Sequence, residues 1–325
     1  MDHREQPTKP EIDVVITAFG RIDLTRSCLD HLSKQTRPHR VILVDNGSLD
    51  DTQSVVMQDY PHVHLIRIEN NTAFSVATNK GVAEGHSPFV VLMNNDVDCP
   101  PDFLANLVRP LEQQSSTGSV TALLLQPNGD RVDSFGLASD RTLSCFPRNR
   151  GERSPSPQDA NLTLLGPAGA AAAFRREAWA AVGGLDEHLP GYMEDFELAI
   201  RLRCAGWGTA SARDAVAIHV GSATFGHLSA RQRWLGGFGR GYVLRRYRLL
   251  LKGVGVQVAA TEIAVTVIDG ALHRDLAALR GRVSGWRIAG DLEPRELPPV
   301  SAIDQSISFV DSLRRRRASL NAADS

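Results

Sequence analysis

The feature that most constrains this chain is a regular alternation of short apolar runs and helix-patterned segments between residues 12 and 94. The apolar runs read "IDVVIT", "RVILVD", "HVHLIRI" and "PFVVLMN". They are separated by segments such as "LTRSCLDHLSKQ" and "FSVATNKGVAEG", whose apolar residues recur at helical spacing. Continuous apolar strands joined through helices predict a parallel sheet that is covered by helices on both faces.

Polar residues follow three of these predicted strands, at residues 17–21, 45–48 and 94–98. In such sheets, ligands bind beyond the carboxyl ends of the strands. The last cluster, "MNNDVD", brings carboxylates and amides together, and these oxygen donors suit a hard divalent cation that carries phosphate. Asp96 is the expected metal ligand, and Asn94 or Asn95 could hydrogen-bond a ribose. The alternative is a polar loop that caps the next helix near Pro101.

Asp45 ends the run "RVILVD", before a turn and a predicted helix. One interpretation is a carboxylate that accepts the imide N–H of a uracil or thymine base. The other is a turn aspartate that accepts hydrogen bonds from its own backbone. The sequence around Asp45 leaves both interpretations open.

An acidic cluster opens the helical segment "EDFELAIRLRCAGW", with Glu194, Asp195 and Glu197 in its first turn. The helix dipole stabilises acidic residues there, so capping alone accounts for the pattern. A carboxylate on a rigid helix start that faces a cleft is also well placed as a general base. We expect the dipole to lower the pKa of that base and to keep it ionised at neutral pH.

His219 ends another apolar run, "AVAIH". A lone histidine in such a place is more often an ordinary core or surface residue than a ligand. Imidazole nevertheless suits Mn²⁺ better than it suits Mg²⁺ or Ca²⁺. His219 is therefore a second candidate metal ligand.

The pattern changes from residue 117 onward. The segment "GSVTALLLQPNGDRVDSFG" has an Asn-Gly pair between extended stretches, which predicts a hairpin. Residues 147–161 are rich in proline, serine and charge and predict a mobile loop. Beyond His219 the chain becomes basic and helical, and residues 291–325 predict a linker followed by a terminal helix.

The terminal segment "AIDQSISFVDSLRRRR" places apolar residues on one face of a helix and ends in four arginines. The residues of this face are Ile303, Ile307, Val310 and Leu313. Such a helix suits an anionic membrane surface, and a partner helix is the other interpretation. The default interpretation of the arginines is solvated charge.

Composition narrows the class of protein further. The chain has 325 residues and a formal net charge of −1, which does not indicate a nucleic-acid partner. Its four cysteines are scattered without a CxxC pair, as is typical of a reduced, cytoplasmic protein. We expect no signal peptide in "MDHREQPTKP". The most apolar long segment, residues 254–270, contains Gln257, Glu262 and Asp269, so we predict no membrane-spanning helix.

Seven segments between residues 12 and 247, taken in order, resemble the family 2 glycosyltransferases with a GT-A fold, especially a bacterial rhamnosyltransferase-like branch. They read "VVITAFGR", "VILVDNGSLDDT", "NNTAFSVATNKG", "VLMNNDVD", "GPAGAAAAFRREAWAAVGGLDE", "YMEDFELAIRLRCAGW" and "HVGSAT". The resemblance implies an α/β GT-A fold, with a mostly parallel central sheet wrapped by helices and a C-terminal helical extension. It also implies a nucleotide-diphosphate-sugar donor, a bound Mn²⁺ or Mg²⁺, and inverting hexosyl transfer in a single displacement.

The resemblance also carries residue roles by position. The residues that would bind the nucleotide sugar are Thr17, Ala18, Phe19, Arg21, Asp45, Asn71, Asn94, Asn95 and Asp96. Asp45 would read the base, and Asp96 and His219 would hold the metal. Asp195 would be the catalytic base, and Glu194 would contact donor or acceptor hydroxyls.

Several positions depart from the family pattern. Ala73 and Ala77 stand where glycines are usual, and Gly20 replaces a common asparagine. The metal motif is Asn-Asn-Asp rather than Asp-x-Asp, which implies a weaker metal site. Trp207 is expected to support the pocket.

The resemblance leaves more than one donor, acceptor and functional class open. By branch similarity, dTDP-rhamnose is the first expected donor and UDP-sugars come next. The acceptor would be a hydroxyl of a glycan, a lipid-linked glycan or a small molecule. A sugar nucleotidyltransferase should have a glycine-rich basic loop where this chain has "TAFGRIDLT". A catalytically inactive nucleotide-sugar-binding protein is disfavoured because Asp96, Asp195 and His219 are present.

The expected organisation follows from these segments. A flexible tail at 1–10 precedes a catalytic domain at 11–222, which has a nucleotide half at 11–98 and an acceptor half at 99–222. A helical region at 223–290 follows, and then a linker with a basic amphipathic helix at 291–325. We expect a cytoplasmic protein without nucleic-acid partners. Peripheral contact with the inner face of the cell membrane and homodimerisation are open expectations.

Overall fold

The computed structural model of the protein describes residues 11–153, 162–221 and 229–321, without the side chains of residues 317–321. The expected N-terminal tail at residues 1–10 lies outside the described residues. Residues 154–161 of the expected mobile loop lie outside them too. The earlier part of that loop ends a short strand and continues in turns.

Strands and helices alternate in the first part of the chain and helices dominate the last. The strands are β1 (Ile12–Ala18), β2 (His39–Asn46), β3 (His64–Ile68), β4 (Phe89–Asn94), β5 (Val97–Asp98), β6 (Thr117–Leu125), β7 (Val132–Ser134), β8 (Leu137–Ser139), β9 (Cys145–Pro147), β10 (Ala171–Arg175) and β11 (Gly208–His219). The α-helices are α1 (Ile22–Leu32), α2 (Thr52–Asp59), α3 (Phe74–Ala83), α4 (Phe103–Gln113), α5 (Arg176–Val182), α6 (Glu194–Cys204), α7 (Ala230–Arg246), α8 (Gly255–His273), α9 (Ala277–Gly290) and α10 (Phe309–Asn321). Two short 3-10 helices span Leu249–Leu251 and Val300–Ala302.

The central sheet has the strand order β3-β2-β1-β4-β10-β6-β11-β5, and β7 pairs with β6. Strands β3, β2, β1 and β4 are parallel to one another, whereas β10 is antiparallel to both of its neighbours. The predicted α/β fold with a mostly parallel sheet is confirmed. The predicted hairpin is confirmed as well, because β6 and β7 pair antiparallel across the Asn-Gly turn.

The parallel strands are apolar on both faces because helices cover both faces. Val14 and Ile16 of β1 belong to the cluster that includes α1 and α4 residues, and Val15 belongs to the opposite cluster. All three side chains are almost fully buried. This two-sided burial accounts for the absence of polar alternation in the predicted strands.

Helices α7 and α9 pack backbone to backbone through glycines. A side chain at Gly237 or Gly241 of α7 would overlap the main chain of α9. Likewise, a side chain at Gly281 or Gly285 of α9 would overlap the main chain of α7. We call this contact the glycine seam; its close approach is available only without Cβ atoms.

The C-terminal segment differs in part from the prediction for it. The terminal helix, α10, begins at Phe309, so Ile303 and Ile307 do not belong to it and the predicted single apolar face is wrong. The reason lies in Asp304, whose carboxylate accepts hydrogen bonds from the Thr163 and Ser306 N–H groups and fixes a turn before the helix.

One of the basic residues of α10 also points inward rather than toward solvent. Arg316 donates to Glu262 of α8 at 2.6 Å and also contacts Ser144. Ser312, in the same helix, is buried and donates to Asp140. The helix is therefore held on the body of the protein.

Candidate active site

The carboxyl ends of β1, β2 and β4 meet at one edge of the sheet. In the register of the strands, Ala18 lies beside Asp45 and Thr17 lies beside Asn94. The start of β10 reaches the same edge, because β10 runs antiparallel to β4. Neighbouring strands are about 4.8 Å apart, so the edge from β2 to β10 extends over about 14 Å. Four of the residues expected at the nucleotide site thus lie side by side.

Asp45 is fully buried at the end of β2, and protein groups engage both of its carboxylate oxygens. Oδ1 accepts a hydrogen bond from the Ser48 N–H at 2.9 Å, and Oδ2 pairs with the Arg67 guanidinium. Arg67 Nη2 also donates to the Ser48 carbonyl at 2.9 Å. Asp45 therefore stabilises its own turn, and no sequence pattern indicated Arg67. That Asp45 reads the base stays a prediction, and it requires the base to share the carboxylate with Arg67.

The loop after β1 is fixed against its neighbours. Thr17 Oγ1 lies 3.0 Å from Thr78 Oγ1 on α3, and the Gly20 N–H donates to Ser48 Oγ at 2.7 Å. Gly20 has a φ of +65°, a backbone conformation that costs glycine little. The asparagine that is common in the family also tolerates this conformation better than other residues do. The departure at Gly20 therefore preserves the path of the loop.

The remaining residues expected at the nucleotide differ in how open they are to a ligand. Ala18 is fully buried, whereas Phe19 is 38% exposed. Arg21 is exposed and pairs with Asp23 at 2.8 Å. Asn71 is exposed, and its amide donates to a main-chain carbonyl at the end of β2 at 3.1 Å. Phe19, Arg21 and Asn71 can thus meet a ligand directly, while Ala18 only supports the strand end.

Asn94 and Asn95 have different surroundings. The Asn95 amide donates to Thr25 Oγ1 at 2.9 Å and so ties α1 to the end of β4. Asn94 is paired in the sheet beside Thr17, and its N–H donates to the Ala170 carbonyl at 2.9 Å. Of the two, Asn94 is the better candidate for contact with a ribose, because the Asn95 amide already holds a helix.

Asp96 and His219 are far apart in sequence and adjacent in the structure. His219 ends β11, which pairs with β5 immediately after Asp96. The Nε2 atom of His219 is 3.5 Å from Asp96 Oδ1, and the Gly221 N–H donates to Asp96 Oδ2 at 3.1 Å. Asp96 Oδ1 is buried and accepts no hydrogen bond from the described residues. A buried carboxylate oxygen without a donor is costly, so this atom is suited to a cation.

Asp133 completes this group, although no sequence motif pointed to it. Its Oδ2 atom lies 2.9 Å from His219 Nδ1, on the opposite side of the ring from Asp96. Burial alone would lower the pKa of His219, but its hydrogen bond to Asp133 and the neighbouring Asp96 carboxylate raise that pKa to about 9. The only available signal was the hairpin itself, which brings β7 back beside β6 and thus near the end of β11.

The carboxylate of Asp96 and the imidazole of His219 are suitable ligands for a divalent metal ion. Within the described residues, no group of three His, Cys, Asp or Glu side chains is arranged around one point as metal ligands. Two protein ligands leave positions for phosphate oxygens and water, which is how phosphate-bridging ions are commonly held. One imidazole nitrogen beside one carboxylate oxygen suits Mn²⁺, and Asp133 would orient the ring.

Asp195 and Glu194 open helix α6 next to the start of β10. Asp195 Oδ2 accepts a hydrogen bond from the Gly169 N–H at 2.9 Å, and Oδ1 accepts one from the Phe196 N–H at 2.7 Å. Because Ala170 pairs with Asn94, Gly169 places Asp195 at the same sheet edge as the loops after β1 and β2. Glu194 Oε2 is buried without a hydrogen-bond partner among the described residues.

The pKa values of the two carboxyls correct one expectation. Burial and the neighbouring Asp195 charge hold the pKa of Glu194 well above its ordinary value. Burial also raises the pKa of Asp195, although the Gly169 and Phe196 N–H groups oppose the shift. The expectation that the helix dipole lowers the pKa of the base is therefore wrong, because burial outweighs it. Asp195 has the two donors, so Glu194 is the member of the pair that keeps a proton.

The turn that leads into α6 is strained. Tyr192 and Met193 have φ values of 62° and 72°, in the left-handed region that side chains disfavour. Gly239 of α7 packs directly against these two residues. Strain of this kind, held in place by packing, is typical of functional sites.

Trp207 and Glu197 lie away from the site. Trp207 packs on Gly118 at the start of β6. This end of β6 lies at the edge of the sheet opposite to Asn94, so the expectation that Trp207 supports the pocket is wrong. Glu197 is fully buried and bonds Arg201 and Tyr247, so the acidic cluster of the sequence divides between two functions.

A family profile described as "Glycosyltransferase like family 2" matches residues 10–237, which is more than half of the chain. The protein is a family 2 glycosyltransferase. This assignment sets aside the sugar nucleotidyltransferase alternative. The matched residues include the loops after β1 and β2 and the Glu194–Asp195 turn.

Two relatives of this family 2 glycosyltransferase are named for rhamnosyl transfer and for O-antigen biosynthesis. The chain is 29% identical over 227 residues to the N-acetylglucosaminyl-diphospho-decaprenol L-rhamnosyltransferase of Mycobacterium tuberculosis, covering 61% of this chain and 73% of the relative. It is 26% identical to the O-antigen biosynthesis protein RfbC of Myxococcus xanthus, covering 66% of this chain and 18% of that protein. The predicted similarity to a rhamnosyltransferase-like branch is confirmed.

Solved structures confirm the predicted GT-A fold. The mannosyltransferase PcManGT from Pyrobaculum calidifontis, solved with GDP-mannose and Mn²⁺, superposes with a TM-score of 0.54 at 18% identity, over 98% of this chain and 89% of that one. GalNAc-T7, solved with UDP, GalNAc and Mn²⁺, superposes with a TM-score of 0.60 at 15% identity, over 89% of this chain and 56% of that one.

Proposed function

We propose that this family 2 glycosyltransferase moves a sugar from a nucleotide-diphosphate donor to an acceptor hydroxyl in one inverting, metal-dependent displacement. The observation that carries the proposal is the environment of Asp195. Its carboxylate is fixed by two backbone N–H groups at a helix start, at the same sheet edge as the loops after β1 and β2. A fixed, orientated carboxylate beside a nucleotide site is suited to act as a general base.

Asp195 and Glu194 would divide the work at the acceptor. Asp195 would take the proton of the acceptor hydroxyl as that oxygen attacks the anomeric carbon from the face opposite to the nucleotide. The configuration at that carbon would then invert. Glu194 keeps its proton at neutral pH because of burial and the Asp195 charge, so it would donate a hydrogen bond to a donor or acceptor oxygen rather than compete as base.

Asp96 and His219 would hold the divalent metal ion, with Asp133 orientating the imidazole. When bound, the ion supplies positive charge that offsets the charge developing on the departing nucleotide diphosphate. Mn²⁺ is the preferred candidate because of the imidazole, and Mg²⁺ is the second.

The donor and acceptor are proposed from the relatives. We propose dTDP-rhamnose as the first donor and a lipid-linked glycan as the first acceptor, because the Mycobacterium tuberculosis relative is named as a rhamnosyltransferase of a decaprenol-linked sugar. UDP-sugars are the second donor class. An imide base, thymine or uracil, is common to both donor classes, and Asp45, paired with Arg67, would read it.

A donor-hydrolysis screen tests the proposal. The full chain is incubated with dTDP-rhamnose, UDP-sugars and GDP-mannose, and released nucleotide diphosphate is measured with Mn²⁺, with Mg²⁺ and with excess EDTA. We expect release from an imide-base donor that EDTA abolishes and Mn²⁺ restores at least as well as Mg²⁺. Undiminished release in EDTA would overturn the metal dependence, and no release from any donor would point to the inactive nucleotide-sugar-binding alternative.

A further inference from the structure

Helix α8 has its polarity reversed relative to an ordinary surface helix. Thr261, Glu262 and Asp269 are buried against the body of the protein, together with Val258. On the opposite face, Val256, Ile263 and Val267 are 85%, 66% and 64% exposed. A helix on the surface of a globular protein normally buries its apolar face.

The inward face of α8 is held by a cluster of arginines from three other helices. Glu262 accepts hydrogen bonds from Arg240 of α7 at 2.8 Å, from Arg282 of α9 at 3.1 Å and from Arg316 of α10 at 2.6 Å. Asp269 lies 3.5 Å from Arg233 of α7. The side that faces inward is therefore fixed by ion pairs, and the helix cannot turn its apolar residues inward without breaking them.

The outward residues form a narrow continuous line, which we call the α8 stripe: Val256, Ala260, Ile263 and Val267. They are spaced four, three and four positions apart, so they share one face of the helix. Leu251, just before α8, is also 79% exposed. Contiguous exposed apolar surface of this kind marks an interaction site more often than a free surface.

Within the segment from Arg245 to Arg274, the exposed charges are all positive. Arg248 and Lys252 are exposed just before the helix, and Arg274 is exposed just after it. From Arg245 to Arg274 the acidic residues are Glu262 and Asp269, and both are buried and paired. An apolar line flanked by exposed cations is complementary to an anionic lipid surface. A second copy of the chain is less well matched, because the same cations would face one another.

We infer that the α8 stripe is the surface with which this protein docks on an anionic membrane, with α8 lying flat in the interface. Among the described helices, α8 alone is long and apolar enough to cross a membrane by length and composition, and 22% of its most apolar 18-residue stretch is buried. A spanning arrangement would place Glu262 and Asp269 in hydrocarbon, where carboxylates are costly. We propose docking through α8 rather than through α10, since Arg316 and Ser312 of α10 point inward.

Sedimentation with vesicles tests the inference on the full chain. Two kinds of vesicle are used, phosphatidylcholine alone and phosphatidylcholine with about 30 mol% phosphatidylglycerol, which supplies the anionic surface. Each is mixed with the parent protein and with a Val256→Thr/Ile263→Thr/Val267→Thr variant. We expect the parent to bind the anionic vesicles, with binding that weakens as salt is raised. The triple variant should lose at least about tenfold of that binding, because it removes apolar area from the interface.

Matched variants separate docking from general surface effects. Leu49→Thr/Met57→Thr changes apolar residues that are 96% and 64% exposed elsewhere on the protein, and it should leave vesicle binding unchanged. Arg314→Gln/Arg315→Gln removes exposed charge from α10 and should reduce binding much less than Arg248→Gln/Lys252→Gln does. Thermal unfolding and donor hydrolysis of each variant should match the parent, so a failure of docking is distinguishable from a failure of the proposed catalytic function.

Three outcomes would overturn the inference. They are a parent protein that ignores anionic vesicles, a triple variant that binds as the parent does, and a concentration-dependent dimer in analytical ultracentrifugation that the triple variant abolishes while vesicle binding persists. The last would assign the α8 stripe to a contact between copies of the chain.

Discussion

His219 lies between two carboxylates, with Nδ1 2.9 Å from Asp133 Oδ2 and Nε2 3.5 Å from Asp96 Oδ1. The shorter contact fixes which nitrogen of the ring faces Asp96. Because Asp133 stands on the hairpin and Asp96 follows β4, the position of the ring depends on two separate parts of the fold.

The first prediction concerns Asp133. Asp133→Asn should weaken Mn²⁺ binding by about 10- to 100-fold, because the residue that orientates a metal-binding imidazole supports its affinity to that extent. Mn²⁺ titration followed by electron paramagnetic resonance measures this without relying on activity. Asp130→Asn, in the exposed turn of the same hairpin, is the control and should bind Mn²⁺ as the parent does. Equal affinity in the two variants would show that Asp133 does not act on the metal site.

The second prediction separates the two carboxyls of α6. Asp195→Asn removes the proton acceptor while keeping its size, so transfer should fall by about 10²–10⁴-fold with donor affinity nearly unchanged. Glu194→Gln keeps a hydrogen-bond donor, so its rate should fall much less than that of Asp195→Asn. Because Glu194 is proposed to contact a donor or acceptor oxygen, the substitution should change substrate affinity more than Asp195→Asn does. Steady-state kinetics with both substrates varied would check this. An Asp195→Asn protein within about threefold of the parent would contradict the assignment of the base.

The third prediction follows from the raised pKa of Glu194. Because its folded-state pKa lies above the unfolded value, the folded chain binds this proton more tightly. The stability gained is complete below the unfolded pKa and is lost as the pH rises through the folded pKa. Urea unfolding from about pH 5 to 9 should therefore show the parent losing stability relative to Glu194→Gln as the pH rises. Parallel curves for the two proteins would mean that Glu194 is ionised in the folded chain.

The fourth prediction concerns the buried pair of Asp45 and Arg67. Asp45→Ala leaves the Arg67 guanidinium without its partner and should lower the free energy of unfolding by about 3 kcal/mol. Arg67→Ala strands a fully buried carboxylate and should cost at least as much. Denaturant unfolding of both variants and of the double variant gives the coupling energy. Calorimetry on the folded variants then tests the base contact: unchanged nucleotide affinity in Asp45→Ala would exclude it.

The fifth prediction compares two adjacent glycines of α7. Gly237→Ala places a methyl group against the main chain of α9 at Ala278 and should destabilise the protein by about 1–3 kcal/mol. Gly236→Ala points into open space and should stabilise it by up to about 1 kcal/mol, because alanine favours the helix. Opposite shifts in melting temperature are expected, and equal shifts would mean that the glycine seam is looser than described.

The sequence predicts the parts of this fold that are fixed by local pattern. The strands β1 to β4 and their helices follow from apolar periodicity, and the hairpin follows from its Asn-Gly turn. The start of α6 at Glu194 likewise follows from its acidic first turn. In each case the decisive residues lie within one element, so the local sequence contains the necessary information.

Features that depend on contacts between distant elements escaped prediction. Arg67 and Asp133 have no local pattern, because each acts only on a residue that folding brings to it. The pKa of Asp195 was misjudged because the helix dipole is visible in the sequence and burial is not. The apolar composition of α8 was visible, but the three arginines that turn Glu262 inward come from other helices.

The glycine seam has a consequence for the reach of the enzyme. Gly239 of α7 supports the strained turn before Glu194, and the same helix ends at Arg246, close to where α8 begins. An α-helix rises 1.5 Å per residue, so Gly239 and Arg246 lie about 10 Å apart along the axis of α7. Because the glycine seam packs α7 and α9 main chain against main chain, this distance is fixed. If α8 docks on a membrane as proposed, a sugar close to its lipid anchor would lie within reach of the Glu194–Asp195 turn, whereas the distal end of a long polymer would have to bend back toward the bilayer.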